Sequence, residues 1–441
     1  MLQGVRIFQW PKEALNCAFM CSLCFAAIAE AVCIAPAQAA VSVLYQFKSG
    51  SDGSTPLASL IIGTDGSLYG TTSAGGSANV GTVFKLTPPG PGRPRWTETV
   101  LYRFKGIPDG STPVSELIFD KAGALYGTTV FGGTAGCGTV FRLKPPAPGQ
   151  TQWTQSILYS FKGAFAQEGC RSLAGLIFDG AGALYGTNQI AGNFGSGTVF
   201  KLTPPAPGKT GWTKQELYHF KGGLDGREPY AGLIAGKTGA LYGTTRFGGQ
   251  ASGQGFGTVF RLTPPPPGQK QWKETVLYRF KGGVDGAFPE AGLIFDQSGA
   301  LYGTTRFGGQ ASGQGFGTVF KLTPPLPGKT QWTETVLYRF QRGNDGAFPQ
   351  AGLIFDQSGA LYGTTFGGGG LADLGTVFKL SPPPQGQTRW TRTILYRFSQ
   401  NGQPSRLAAG LVFDKSGALY STSMTGGPNL SINEGTVFRI K

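Results

Sequence analysis

Few residues of this chain have the type and spacing for chemistry. The one histidine, His219, lies in "LYHF", where the other copies of the motif carry arginine, glutamine or serine. On an outermost strand it reads as an exposed edge residue, not as a base. Beyond residue 39 there is no HExxH, GxSxG, Walker or CxxC motif, so neither a nucleophilic triad nor a zinc site is assembled. Loops such as "GGQASGQGFG" look like phosphate cradles but are followed by neither a helix nor a Lys-Ser/Thr pair, which leaves them as turns.

Carboxylates offer more. Asp52, Asp109, Asp225, Asp285 and Asp345 each open a "DG-x-x-P" segment. Aspartate before glycine is a turn former, because its side chain bonds nearby backbone N–H groups. The competing reading is a ring of carboxylates at a channel mouth, able to hold a cation or polar ligand. Departures from the repeat single out other positions. The glycine of "AGLIFD" (Gly175, Gly232, Gly292, Gly352 and Gly410) is Ser59 in the first copy and Glu116 in the second. Two residues earlier stand Tyr230, Glu290 and Gln350. The third copy replaces "DG-x-x-P" by "AQEGCRSL", placing Glu168 and Arg171 beside Cys170, and turns "GTT" into "GTN" at Asn188. These departures mark either a lopsided ligand site on one face or drift in a tolerant fold. The stretch "GALYGTTRFGGQASGQGFGTVF" occurs twice without change, from Gly239 and from Gly299, and presents Arg246 and Arg306 in equivalent places. Six tryptophans (Trp96, Trp153, Trp212, Trp272, Trp332 and Trp390) recur at one position of each repeat, which favours packing over sugar stacking.

The elements that must position these residues follow from the repeat. "LYGT" or its variant "LYST" occurs seven times, with tyrosines at 69, 126, 185, 242, 302, 362 and 420, and spacings of 57 to 60 residues. "GTVF" and "LY-x-F" also occur seven times each. Every repeat reads as four short strands rich in β-branched and aromatic residues, such as "AGLIFD", "ALYGTT", "GTVFKLT" and "ETVLYRF", cut by Gly and Pro. Four strands in seven copies predict an all-β, seven-bladed β-propeller. The repeat region starts with a lone fourth strand, "SVLYQF", and ends with a third, "GTVFRIK". Pairing of that N-terminal strand with the last blade is therefore expected to close the ring and remove exposed edges.

Composition agrees. Glycine, at 73 of 441 residues, supplies the positive φ that turns need, while 40% apolar and 12% aromatic content argues against disorder. Thirty-eight Lys and Arg against 23 Asp and Glu give a net charge of +15, dispersed without runs. This serves solubility and favours an anionic partner.

Residues 1–39 stand apart: Arg6 and Lys12 precede an apolar stretch that ends Ala37-Gln38-Ala39, the pattern of a secretory signal peptide cleaved after Ala39. Glu30 interrupts the apolar run, so an uncleaved anchor is the alternative. Residues 40–441 then form one propeller domain with no transmembrane span. Four of the six cysteines fall in the leader. The remaining pair, Cys137 and Cys170, lie in loops of one face on neighbouring blades and are expected to form a disulfide.

The repeated "LYGTT-x-x-GG…GTVFKL" resembles the GloVer tandem-repeat family of exported bacterial "choice-of-anchor" proteins, over about 41–441. The resemblance implies a propeller-like exported protein and carries no activity. Members often have a C-terminal sorting segment; here the sequence stops at its last strand, so surface anchoring is not expected.

Together these features predict an exported, periplasmic or extracellular, monomeric binding module without cofactor or metal. Its expected partner is an anionic glycan or an envelope protein, not nucleic acid. Candidate ligand residues are Glu116, Glu168, Arg171, Tyr230, Glu290, Gln350, Arg246 and Arg306. The alternatives are a polysaccharide- or lactone-active enzyme using channel carboxylates such as Glu116 and Glu290, and a structural envelope protein.

Overall fold

Glycine and proline cut the chain into strands too short for any one sheet to bury its faces alone, so the sheets must stack. The structure, a computed structural model, describes residues 39–441 apart from 313, 314 and 401. The predicted leader lies outside the described residues except for Ala39, whose N–H donates to Leu395 O at 3.0 Å. Seven four-stranded antiparallel sheets form the blades of a propeller. No α-helix occurs among the described residues. Blade 4 is typical, running from the centre outward as Ile234–Ala235, Leu241–Thr245, Thr258–Thr263 and Lys273–Arg279. In blade 7, Val412–Phe413, Leu419–Ser423 and Thr436–Ile440 are joined by Val41–Gln46, antiparallel to the last.

The register explains the motif. Gly243 of "LYGT" lies opposite Phe260 of "GTVF". A Cβ at Gly243 would sit 2.7 Å from the Phe260 ring, so only glycine lets that ring lie flat across the second strand. The ring then meets Phe280's counterpart from the preceding blade, Phe220, edge to face at 5.0 Å. The same contact joins every successive pair of blades: Phe47–Phe84, Phe104–Phe141, Phe161–Phe200, Phe280–Phe320, Phe340–Phe378 and Phe398–Phe438. Aromatic pairs of this geometry add about 0.5–1.5 kcal/mol beyond their buried area.

A hydroxyl fixes the same interface nearer the axis. The first threonine of each "GTT" donates to the carbonyl that precedes the innermost strand of the next blade. Thr187 reaches Ala231 O (3.1 Å), Thr244 reaches Ala291 O (3.3 Å) and Thr364 reaches Ala409 O (2.9 Å). Thr71, Thr128 and Thr304 do the same to Ser115, Ala174 and Ala351, and Thr422 of blade 7 reaches Ala58 of blade 1 at 3.2 Å. All seven threonines are buried. The tryptophans also pack between blades; Trp272 meets Tyr185 and Trp390 meets Tyr302, edge to face.

Thr364→Val keeps the shape of the side chain and removes the donor. Denaturant unfolding is expected to show a loss of about 1–2 kcal/mol, largely recovered in Thr364→Ser. An unchanged midpoint in Thr364→Val contradicts the assigned role.

Candidate functional site at the channel mouth

The "DG-x-x-P" aspartates do not form a ring of free carboxylates. Each takes the hydroxyl of the "LY-x-F" tyrosine seven residues earlier: Tyr45 to Asp52 (2.7 Å), Tyr102 to Asp109 (3.0 Å), Tyr218 to Asp225 (2.7 Å), Tyr278 to Asp285 (2.8 Å) and Tyr338 to Asp345 (2.6 Å). Each also accepts a backbone N–H, as from Lys281 to Asp285. The turn-forming reading of these aspartates is the one the geometry matches. Glu168 occupies the equivalent place in the irregular third repeat. It accepts from Tyr159 (2.6 Å) and from Lys162 N, and Lys214 Nζ lies 3.6 Å away. Glu168 thus makes the same tyrosine and backbone contacts as the aspartates of the other repeats. Asn188 likewise replaces a threonine, bonding Thr198 Oγ1 at 3.3 Å. These two departures compensate locally for the changed loop.

Cys137 and Cys170 are joined as a disulfide between the loops of neighbouring blades, with Cα atoms 4.6 Å apart. Arg171, next in sequence, lies over the Phe131 ring at 5.4 Å. His219 is half-buried, not exposed as expected, and its Nδ1 accepts from Asn193 N at 3.2 Å.

At the axis, the innermost strands meet in a ring of Ser59, Glu116, Gly175, Gly232, Gly292, Gly352 and Gly410. A Cβ added at Gly175 or Gly232 would lie within 3.4 Å of the preceding ring residue's carbonyl oxygen, and Gly410 N donates to Ser59 Oγ. Glu116 carries the one charged side chain of this ring. Water in the channel reaches its carboxylate, yet protein surrounds it on all sides. Desolvation pushes its pKa up to about 7. It has no hydrogen-bond or ion-pair partner among the described residues.

Four of the predicted ligand residues do converge. Glu290 is almost wholly buried, its side chain 3% exposed, and it holds two arginines from neighbouring blades. Arg246 Nε lies 2.9 Å from Oε1, and Arg306 Nη1 lies 3.2 and 3.4 Å from Oε1 and Oε2. Arg246 also covers the Tyr230 ring at 5.4 Å. Burial raises the Tyr230 hydroxyl pKa, reinforced by the Glu290 charge. Glu290 lies between two guanidinium groups whose arginines are 26% and 29% exposed; Glu228 brings a second negative charge near Tyr230 and Arg227 a third cation over Phe247, so the sector remains net positive. Gln350 holds the position equivalent to Glu290 in blade 6, with a buried, unpaired amide nitrogen.

The sequence reading missed the aromatic surround. Phe247 meets Phe288 at 5.2 Å and Phe307 meets Phe348 at 5.2 Å, while Phe256 and Phe316 pack on Phe288 and Phe348, each at 5.8 Å. All six rings are half-buried. Arg246 lies over Phe247 at 4.9 Å and Arg306 over Phe307 at 5.1 Å. Phe288 and Phe348 hold left-handed backbone (φ 58° and 59°), a conformation their counterparts Thr55, Thr112, Arg171, Glu228 and Arg406 share. Such strain in bulky residues persists only where packing enforces it. The legible signal was "AFP", which places phenylalanine where other repeats have threonine, glutamate or arginine. Among the described residues, no three histidine, cysteine or carboxylate side chains converge to hold a metal ion.

The fold and its axial mouth define a seven-bladed β-propeller with one polar, cationic sector. The chain belongs to the Gloeobacter/Verrucomicrobia repeat family, whose model matches residues 31–249, 94–312, 147–370 and 254–441. Among curated proteins, none matches. Solved structures similar to it include a luciferin-regenerating enzyme, at 15% identity over 74% of this chain and 90% of that one, with a TM-score of 0.43. A glucose dehydrogenase matches at 13% identity over 91% and 99% of the two chains (TM-score 0.42). A putative 6-phosphogluconolactonase from Bacteroides uniformis matches at 14% over 79% and 88% (TM-score 0.45).

The Tyr–Asp contacts generate a pH dependence. Glu98, Glu274 and Glu334, on the outermost strands, face Asp52, Asp225 and Asp285. Burial first, then the facing aspartate, raises their pKa values to about 8, 8 and 7 from an ordinary 4.5. Each has a buried Oε1 without a partner, as does Asp285 Oδ1, so a shared proton would satisfy both groups. A carboxyl whose folded pKa is raised contributes stability that is complete below the unfolded value, near 4.5, and is lost as pH rises to 7–8. The melting temperature is expected to fall between pH 5 and pH 8, and the triple variant Glu98→Gln, Glu274→Gln, Glu334→Gln should flatten that slope. A slope that the triple variant leaves unchanged contradicts these pairings.

Proposed function

We propose that this chain is an exported, non-catalytic binding module that takes an acidic glycan on the Tyr230–Arg246–Glu290–Arg306 sector of the channel mouth. The observation that carries the reading is the buried Glu290 carboxylate shared by two half-exposed arginines beside phenylalanine rings. The glutamate orders both guanidinium groups before a ligand arrives, so less side-chain entropy is lost on binding. The excess positive charge matches a carboxylate or sulfate, which arginine engages through its fork of N–H groups. The rings of Phe288, Phe307, Phe316 and Phe348, which line an open cleft, offer apolar surface to the C–H side of a sugar. The net charge of +15 draws polyanions toward the molecule. Export rests on the leader-like segment of residues 1–39 and on the disulfide, which suits an oxidising compartment.

A second reading, an enzyme acting on a polysaccharide or lactone, is favoured by one observation: Glu116 stands unpartnered in the channel with a pKa near that of a working acid–base group. Glu290, the other carboxylate considered for this role, is engaged by two cations. Product formation from polyuronates or sugar lactones, lost in Glu116→Gln, would favour the enzyme.

The test is a glycan array followed by calorimetry on residues 40–441. Uronate- or sulfate-bearing glycans are expected to bind, with affinity falling as salt is raised. Arg246→Ala or Arg306→Ala should weaken binding by roughly tenfold or more, as loss of a charge-assisted contact does. Uniform absence of binding, or binding that both variants leave unchanged, contradicts the proposal.

A further inference from the structure

The cationic sector is built twice. The duplicated 22-residue stretch gives blade 4 the set Arg246, Phe247 and Phe256, and blade 5 the set Arg306, Phe307 and Phe316. Their internal geometry repeats closely. Each arginine lies over the ring that follows it, at 4.9 and 5.1 Å. Each of these rings meets the left-handed phenylalanine of the next blade at 5.2 Å, and that phenylalanine takes the third ring at 5.8 Å in both copies. Phe288 also contacts Phe307, at 6.0 Å, so the two stations form one continuous aromatic track. Glu290 stands between the arginines and contacts both, so neither station is complete without it.

The rest of the mouth lacks this set. At the position of Arg246 and Arg306 the other blades carry Ser73, Val130, Gln189, Phe366 and Met424, and at that of Phe288 and Phe348 they carry Thr55, Thr112, Arg171, Glu228 and Arg406. The set occupies two adjacent places, in blades whose loop between second and third strands is longer than in blades 1 to 3. The duplicated stretch carried the arginine and two of the rings into the second place, and both copies keep the same contacts. An open cleft of about 600 Å³ marks the second station, lined by Phe288, Phe307, Phe316, Phe348, Gln310 and Ser312, which is room for a sugar ring. Arg342 borders it, 5.8 Å from the Phe316 ring, and is paired with Asp373 at 3.0 Å.

We infer that the ligand is a linear polysaccharide with an acidic group on successive units, lying along this track so that the two stations engage neighbouring segments of one chain. The inference rests on the glycan reading above and specifies it: two similar stations one blade apart, differing in Arg227 and Tyr230 at the first against Ala287 and Glu290 at the second, match a ligand that repeats. Each station pairs an arginine with one acidic group and stacks aromatic rings on the sugar carrying it. Binding at the second station is intramolecular once the first is filled, so affinity depends steeply on chain length.

The experiment is calorimetric titration of residues 40–441 with galacturonic acid and with 1,4-linked oligogalacturonates of increasing length, alongside poly-glutamate of equal charge. Affinity is expected to rise by roughly 10²–10⁴-fold once the oligomer spans both stations. Arg246→Gln and Arg306→Gln, each confirmed folded by circular dichroism, should reduce long oligomers toward the affinity of the monomer. Binding that does not depend on length overturns the two-station inference and leaves the glycan site standing. Equal binding of poly-glutamate overturns the role of the rings. Absence of binding by oligogalacturonates of every length overturns the inference for uronates, and the array then decides the broader reading by itself.

Discussion

A blade of four short strands cannot bury both of its faces, so every blade depends on its neighbour. The contact that fixes the neighbour's position is the threonine hydroxyl of "LYGT", which reaches one carbonyl at the start of the next innermost strand. It recurs seven times, from Thr71–Ser115 to Thr422–Ala58. The phenylalanine pairs farther out supply the apolar burial, but burial is non-directional. The hydrogen bond sets the angle and depth at which blades meet, and with them the ring of small residues at the axis. Loops carried on so constrained a frame can vary without moving it.

That constraint explains where variation is informative. The "DG-x-x-P" aspartate recurs in five repeats because each bonds a tyrosine hydroxyl and a backbone N–H, and where Glu168 or Gln403 replaces it the tyrosine contact survives. The third repeat looks exceptional in sequence but reproduces the standard contacts with altered side chains. By contrast, the charged side-chain contacts of Glu290, Arg246 and Arg306 do not recur around the ring, although the backbone bonds of both arginines do. They form an ion cluster confined to two blades, beside rings held in strained backbone. The other blades meet without that cluster, and this is why the proposed ligand is placed there.

Much of this was legible in the sequence. Blade number, strand order and the bridging of Cys137 with Cys170 follow from motif spacing and loop placement. The role of "DG-x-x-P" was legible in principle too, since tyrosine precedes aspartate by seven residues in five repeats. Convergence of Tyr230, Arg246, Glu290 and Arg306 was only half visible. Each was singled out as a departure or a duplicated surface residue, but sequence spacing does not show that residues 246 and 290 meet across a blade boundary. The aromatic track was missed because phenylalanine in a glycine-rich loop reads as core. The contacts of Glu168 were hidden for the opposite reason: it looks like an added charge, yet it takes the place of the aspartate in bonding a tyrosine hydroxyl.

The central claim is that the functional surface is the Arg246–Arg306 track and not the face as a whole. Hydrogen–deuterium exchange with and without a long oligogalacturonate tests it most directly. Protection is expected in residues 246–256, 288–290 and 306–312, with the corresponding loops of blades 1 and 2 unchanged. Protection spread evenly over all seven blades, or confined to the tryptophan-bearing loops between third and fourth strands, would contradict the account.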